Sequence, residues 1–168
     1  KDQGSRIKYT DIEASGGDVV KLDLEHPFPL SDNSFDTITC FNTLEHIYDY
    51  NNVVRESYRI LKPGGVFVGG TPFLVNYHPD PHDYWRYTDE AIEKMFTVAG
   101  FTLERMISLG VGPLTAAISV DLFVWPRVLR PLIVTVAVLL DQFILRLKPG
   151  QRGRFPLGYV YVFSKHDS

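Results

Sequence analysis

Apolar positions in this chain fall into short blocks whose spacing switches between strand-like and helix-like. Ser34–Phe41 is an apolar-rich run that stops abruptly at the polar pair Asn42 and Thr43. Tyr48–Leu61 has helical spacing, with Val53, Val54, Tyr58, Ile60 and Leu61 able to share one broad face. Lys62-Pro63-Gly64-Gly65 predicts its end, because Pro63 cannot continue a helix and a glycine supplies a left-handed turn. Val66–Gly70 reads as the next buried strand. Arg6–Ile12 is the first candidate strand, Phe101–Ser108 a later one and Leu157–Ser164 the last. Thr88, with Asp89 and Glu90 in the first turn, marks the start of a helix over Ala91–Ala99 that Gly100 closes. Strand, helix and strand in this order predict a parallel α/β sheet, with the polar residues that follow each strand at its carboxyl edge.

Val111–Leu147 departs from this rhythm, being apolar over most of its length. Its uncharged stretches, including Met106–Val120 and Pro131–Leu140, are shorter than the roughly 20 residues of a spanning helix. On a wheel for Val128–Leu147, Arg130, Thr135, Asp141, Gln142 and Arg146 share one side. Leu129, Leu132, Ile133, Val136, Leu140, Phe143 and Leu147 share the other. Residues 111–150 are expected to form a helical insertion that covers the sheet or a substrate channel. The competing expectation is a membrane-surface or dimer contact through 128–147.

Composition narrows the function classes. The 168 residues suit one domain, and 45% hydrophobic content favours a globular chain over disorder. A net charge of −3 without a Lys/Arg stripe argues against nucleic acid as partner. The single cysteine, Cys40, forbids an internal disulfide and suits a reducing, cytoplasmic setting, with membrane association as the variant.

Phe35-Asp36, Leu44-Glu45-His46 and Leu61-Lys62-Pro63-Gly64-Gly65, preceded by Pro27-Phe28-Pro29, resemble the middle of class I S-adenosylmethionine-dependent methyltransferases of the small-molecule or biosynthetic type. The likeness runs from about Tyr9 to Phe101 and returns in the last strand. It implies a Rossmann-like sheet, mostly parallel with an antiparallel last strand, and S-adenosylmethionine as cofactor. It also implies an enzyme that methylates a small-molecule, lipid or glycan-like acceptor. No acidic residue followed by G-x-G opens the chain; the early pair Gly16-Gly17 follows a strand and precedes no helix. The expectation is therefore a single partial domain over 1–168 that lacks the family's first strand and Gly-rich loop, with an N-terminal segment missing. The alternative is a non-catalytic relative that serves as a binding or scaffolding module.

Carried over residue by residue, the resemblance points to Asp11 and Ile12 for the ribose and to Asp23 and Leu24 for the adenine. Asn42, Thr43 and His46 would lie beside the rest of the cofactor. Read without it, Asp11 is a loop-capping residue, Asp23 a turn former before Pro27, and Glu45 a first-turn carboxylate. The stretch Thr71–Thr88 is the natural substrate lid. Within it, His78 or His82 is expected as general base on an acceptor hydroxyl, and Tyr77, Asp83, Tyr84 and Arg86 as substrate contacts. A metal held by His78 and His82 with Asp80 or Asp83 is the less favoured reading, because the prolines keep this stretch extended; no metal is expected.

Overall fold

The computed structural model describes residues 7–13, 19–151 and 153–166. The Gly16-Gly17 pair and Arg6 lie outside them. Six strands form two sheets. β1 (Tyr9–Asp11) and β2 (Val19–Lys21) pair in parallel, Tyr9 opposite Val19. The second sheet has the spatial order β3 (Phe35–Phe41), β4 (Leu61–Pro72), β6 (Gly158–Ser164), β5 (Thr102–Leu109). β3 runs parallel to β4, and β6 is antiparallel to both its neighbours. The mostly parallel α/β sheet with an antiparallel last strand is what the sequence predicts.

The core lies where β4, β6 and α2 (Asp89–Val98) meet. Phe67, Phe96, Tyr161 and Phe163 have no exposed surface. Phe96 stacks on Phe163 with ring centroids 4.4 Å apart, and Phe101 closes the cluster edge-on. Each such ring contributes about 1.5–3 kcal/mol by leaving water. Gly69 makes this packing possible, since a Cβ there would stand 2.3 Å from the Tyr161 ring.

α1 (Tyr50–Ile60) starts on Asp49, whose carboxylate accepts from the Asn52 amide at 3.2 Å. Its apolar residues Val53, Val54 and Ile60 are buried against the core. Its polar ridge Asn52, Glu56 and Arg59 straps down the segment after β2. The Asn52 side-chain amide donates to the Leu24 and His26 carbonyls, the Phe28 amide donates to Glu56, and Arg59 donates to the Phe28 and Leu30 carbonyls. The helix ends differently from expectation. Leu61 is already extended (φ −70°, ψ 139°), and the chain passes directly into β4. Gly64 does take a positive φ of 74°, but inside a bulge that shifts the β3–β4 register between Phe35 and Thr37. The first strand is also shorter than Arg6–Ile12, with its ladder confined to Tyr9–Asp11.

α3 (Pro113–Asp121) and α4 (Arg130–Leu147) form a hairpin between β5 and β6. One polar residue of α4 turns inward, between Ala137 and Leu145, while Thr135, Gln142 and Arg146 stay exposed: Asp141 is fully buried and accepts from the Leu114 amide, the Thr115 amide and the Thr115 hydroxyl, at 2.8–2.9 Å. The charge thus satisfies the start of α3, where free amides favour an anion. Gly112 permits this approach, because a Cβ there would lie 2.7 Å from Asp141 Cγ. The apolar side faces out, with Leu132, Val136, Leu140, Phe143 and Leu147 all exposed. No described helix is long and apolar enough to cross a membrane.

Candidate functional site

Both sheets present their carboxyl ends to one rim. Lys8, before β1, stands 5.7 Å over the Phe35 ring at the start of β3. At the opposite ends, Glu25 after β2 accepts from the Tyr48 amide, beyond β3, at 2.7 Å. Asp11, Asp23 and Asn42 therefore occupy the same edge of the molecule. The carboxylates of Asp11 and Asp23 also take the turn roles read without the resemblance: Asp11 accepts from the Glu13 amide and Asp23 from the Glu25 amide and His26. Ile12 is exposed, and Leu24 packs against the core. Asn42 holds a positive φ of 47° and its amide donates to the Gly70 carbonyl. Thr43 returns its hydroxyl to the Phe41 carbonyl.

The lid over this rim is the segment from Phe73 to Tyr87. The amides of Tyr84 and Trp85 donate to the Glu45 carbonyl, the Trp85 indole to the Ile47 carbonyl, and the Tyr87 hydroxyl to the Leu44 carbonyl. Four bonds thus seat the lid on the short helical turn Leu44–His46 and the Ile47 that follows it. Asp83 and Arg86, expected to meet substrate, have another role. They form a two-pronged pair with the Asp83 side chain almost fully buried, and Asp83 also accepts from the His78 amide at 3.0 Å. The Arg86 hydrogen bonds hold the Asp83 carboxyl well below the usual carboxylate range. Such a pair fixes the lid instead of contacting an acceptor. Tyr77 and Tyr84 remain exposed. The His82 ring leans on Tyr84 in solvent, centroids 5.2 Å apart, while its backbone carbonyl receives His46 Nδ1.

Beneath the lid lies the residue that sequence reasoning misjudged. Glu45 is fully buried, and neither carboxylate oxygen has a hydrogen-bond partner. Burial pushes its carboxyl up, against the pull of His46, His78 and Arg86. His46 Nε2 stands 3.7 Å and His78 Nε2 4.0 Å from Glu45 Oε1. The two imidazoles meet edge to face, centroids 5.4 Å apart. Of the two histidines expected as base, the structure brings only His78 to this cluster. A first-turn carboxylate would be solvated. The available clue is that Glu45 sits between Leu44 and His46 at the mouth of a strand, where a lid must close.

Comparison with known proteins agrees with this geometry. The family model described as "Methyltransferase domain" matches residues 4–69. The probable S-adenosylmethionine-dependent methyltransferase of Mycolicibacterium smegmatis is 30% identical over 112 residues, covering 63% of this chain and 40% of that protein. The ubiquinone biosynthesis O-methyltransferase of Psychrobacter arcticus is 33% identical over 101 residues, 48% of this chain and 38% of that one. In shape, an S-adenosylmethionine-dependent methyltransferase from Archaeoglobus fulgidus aligns with TM-score 0.57 at 16% identity, over 88% of this chain and 67% of that one. One from Mesorhizobium loti gives 0.54 at 12%, over 90% and 72%. Residues 4–69 thus match part of a methyltransferase domain, and the chain is similar to S-adenosylmethionine-dependent methyltransferases in sequence and in fold. It spans less than half the length of the curated relatives it matches.

The similarity implies S-adenosylmethionine as cofactor. Asp11 ends β1 and Asp23 follows β2, its parallel neighbour, and carboxylates in such places can accept from ribose hydroxyls and an exocyclic amine. Leu24 stands beside the second of them as an apolar flank for a ring. Asn42, Thr43 and His46 continue the same edge toward the lid. Among the described residues no glycine-rich turn joins a strand to a helix at this rim.

Proposed function

We propose that this chain transfers a methyl group from S-adenosylmethionine to an oxygen of a lipid-like acceptor held in a bilayer. The observation that carries the reading is where the outward-facing apolar side of α4 sits. β5 runs parallel to β4, so the α3–α4 hairpin rises at the carboxyl rim, beside the lid; the Ser119 hydroxyl reaches the Leu74 carbonyl at 3.5 Å. Phe123, Val124, Val128, Leu132 and Phe143 of this region are each more than half exposed. Segment 113–155 carries Arg127, Arg130, Arg146, Lys148, Arg152 and Arg154 against Asp121 and Asp141, a net +4 in a chain of net −3. An apolar helix face with a basic surround lies in the interface of an anionic membrane, each cation adding about 1 kcal/mol. Two relatives are named for apolar acceptors, ubiquinone biosynthesis and demethylmenaquinone.

The cofactor supplies a methyl group already activated on a sulfonium. The chain's share is therefore alignment and exclusion of water. The acceptor oxygen would gain the methyl carbon as the sulfur–carbon bond breaks, and its hydroxyl proton would pass to the unpartnered Glu45 carboxylate. The lid, seated on Leu44–His46, places that oxygen at the Glu45–His46–His78 cluster. The test uses vesicles with and without phosphatidylglycerol, carrying a hydroquinone, and a radiolabelled methyl donor. Label should enter the lipid fraction, and Leu132→Glu with Phe143→Glu should abolish vesicle co-sedimentation. Label found only in water-soluble acceptors, with no vesicle binding, overturns the acceptor class. Absence of any heat with millimolar S-adenosylhomocysteine overturns methyl transfer by this chain.

A further inference from the structure

We propose that Glu45, His46 and His78 bind a divalent transition-metal ion, with Zn2+ as the first candidate. The argument begins with the protons. His46 Nδ1 lies 2.5 Å from the His82 carbonyl oxygen, and His78 Nδ1 lies 2.9 Å from the Asn76 carbonyl oxygen. A carbonyl only accepts, so each Nδ1 carries a hydrogen, and each Nε2 is the ring atom left to offer a lone pair to a cation. Both Nε2 atoms face Glu45, whose two oxygens are themselves unpartnered and out of water. Three groups able to donate an electron pair therefore converge on one point.

Hydrogen bonding within the cluster does not satisfy the Glu45 oxygens: 3.7 and 4.0 Å are longer than a hydrogen bond. A buried polar group left unpaired costs several kcal/mol. A divalent cation satisfies all three at once. The donor atoms lie within 4.8 Å of one another. Bonds of about 2.0–2.1 Å bring neighbouring ligands to about 3 Å, a contraction of roughly 1 Å. His78, on the lid and 40% exposed, is the ligand free to move inward.

The surroundings fit the same assignment. A metal-binding histidine ordinarily donates its other ring N–H to a carbonyl or carboxylate, and both imidazoles do so here. The Asp83–Arg86 pair holds the His78 amide, and the lid bonds to Leu44–Ile47 hold the other two ligands. Two imidazoles and one carboxylate suit Zn2+ or Fe2+ and leave coordination positions open. On the methyl-transfer reading, an open position receives the acceptor oxygen; that use rests on the proposed function, whereas the metal site does not.

The test is calorimetric titration of chelator-stripped protein with Zn2+, paired with elemental analysis of the protein as purified. One ion per chain is expected. Glu45→Gln and His78→Gln should each weaken binding at least about tenfold, and His82→Ala should bind like the parent. Thermal melting without metal establishes that each variant is folded; if Glu45→Gln does not fold, His78→Gln, at a half-exposed lid position, carries the test. No stoichiometric uptake, or parent affinity in both cluster variants, or an equal loss in His82→Ala, overturns the site. Zn2+ binding without methylation of any acceptor leaves the site standing and removes only the proposed function.

Discussion

Replacing Asp141 by alanine tests whether the one buried carboxylate of α4 holds the insertion together. The carboxylate accepts from two backbone amides and one hydroxyl, all at 2.8–2.9 Å, and is itself fully buried. Alanine removes a buried charge at a helix start, worth up to about 2 kcal/mol. It also strands the Leu114 and Thr115 amides, each costing about 1–3 kcal/mol where water cannot replace the lost partner. These contributions overlap, so a loss of about 3 kcal/mol is expected. For a domain of this size that lowers the melting temperature by about 6–12 °C. Asp141→Asn retains an acceptor without the charge and should show a smaller loss. Should the hairpin open separately from the sheet, amide hydrogen exchange over residues 113–118 rises while the sheet keeps its protection. Asp141→Ala with parental melting and parental exchange at Leu114 and Thr115 would refute the assignment.

Acid should loosen the strap between α1 and the segment after β2. Hydrogen bonds from Arg59 hold the Glu56 carboxyl below its ordinary 4.5 in the folded chain, so the unfolded chain binds the proton more readily. Glu56 thus stabilises fully above that ordinary value and loses its contribution as pH falls through the lower folded value; melting curves of Glu56→Gln should be flatter in pH over that range. Arg86→Ala leaves the Asp83 carboxylate buried and alone, a loss of about 3–5 kcal/mol. Faster proteolysis confined to the Phe73–Tyr87 lid should accompany it, and a lid cleaved at the parental rate would count against the pair as its anchor.

Strand and helix periodicity made most of the fold legible before any coordinates. Thr88 does cap α2, accepting from the Ala91 amide at 3.2 Å, and Gly100 does close it with a φ of 103°. What periodicity cannot state is which face of an amphipathic helix turns inward. α4 buries the strip Ala137, Asp141 and Leu145, which its wheel does not single out, because the wheel is blind to the unpaired amides of α3 that draw Asp141 inside. The roles of the candidate side chains were less legible than the elements that carry them. Asp83 and Arg86 are an obvious polar pair at a separation of three, yet only burial shows that each is spent on the other. Glu45 was hidden for the opposite reason. Its burial depends on a lid some 40 residues later in sequence closing over it, and no local spacing encodes that contact.

The placement of β6 has a bearing on how the protein is made. It is last of the six strands in sequence but lies between β4 and β5, pairing with the first from Val66 to Pro72 and with the second from Thr102 to Leu109. Until Gly158–Ser164 leaves the ribosome, β5 has no edge to join. The aromatic cluster likewise waits for Tyr161 and Phe163. Lys165 then latches the finished sheet, its ammonium donating to the Tyr58 and Leu61 carbonyls and to Asn33. Synthesis thus delivers the keystone last, and the earlier strands remain an open template until it arrives.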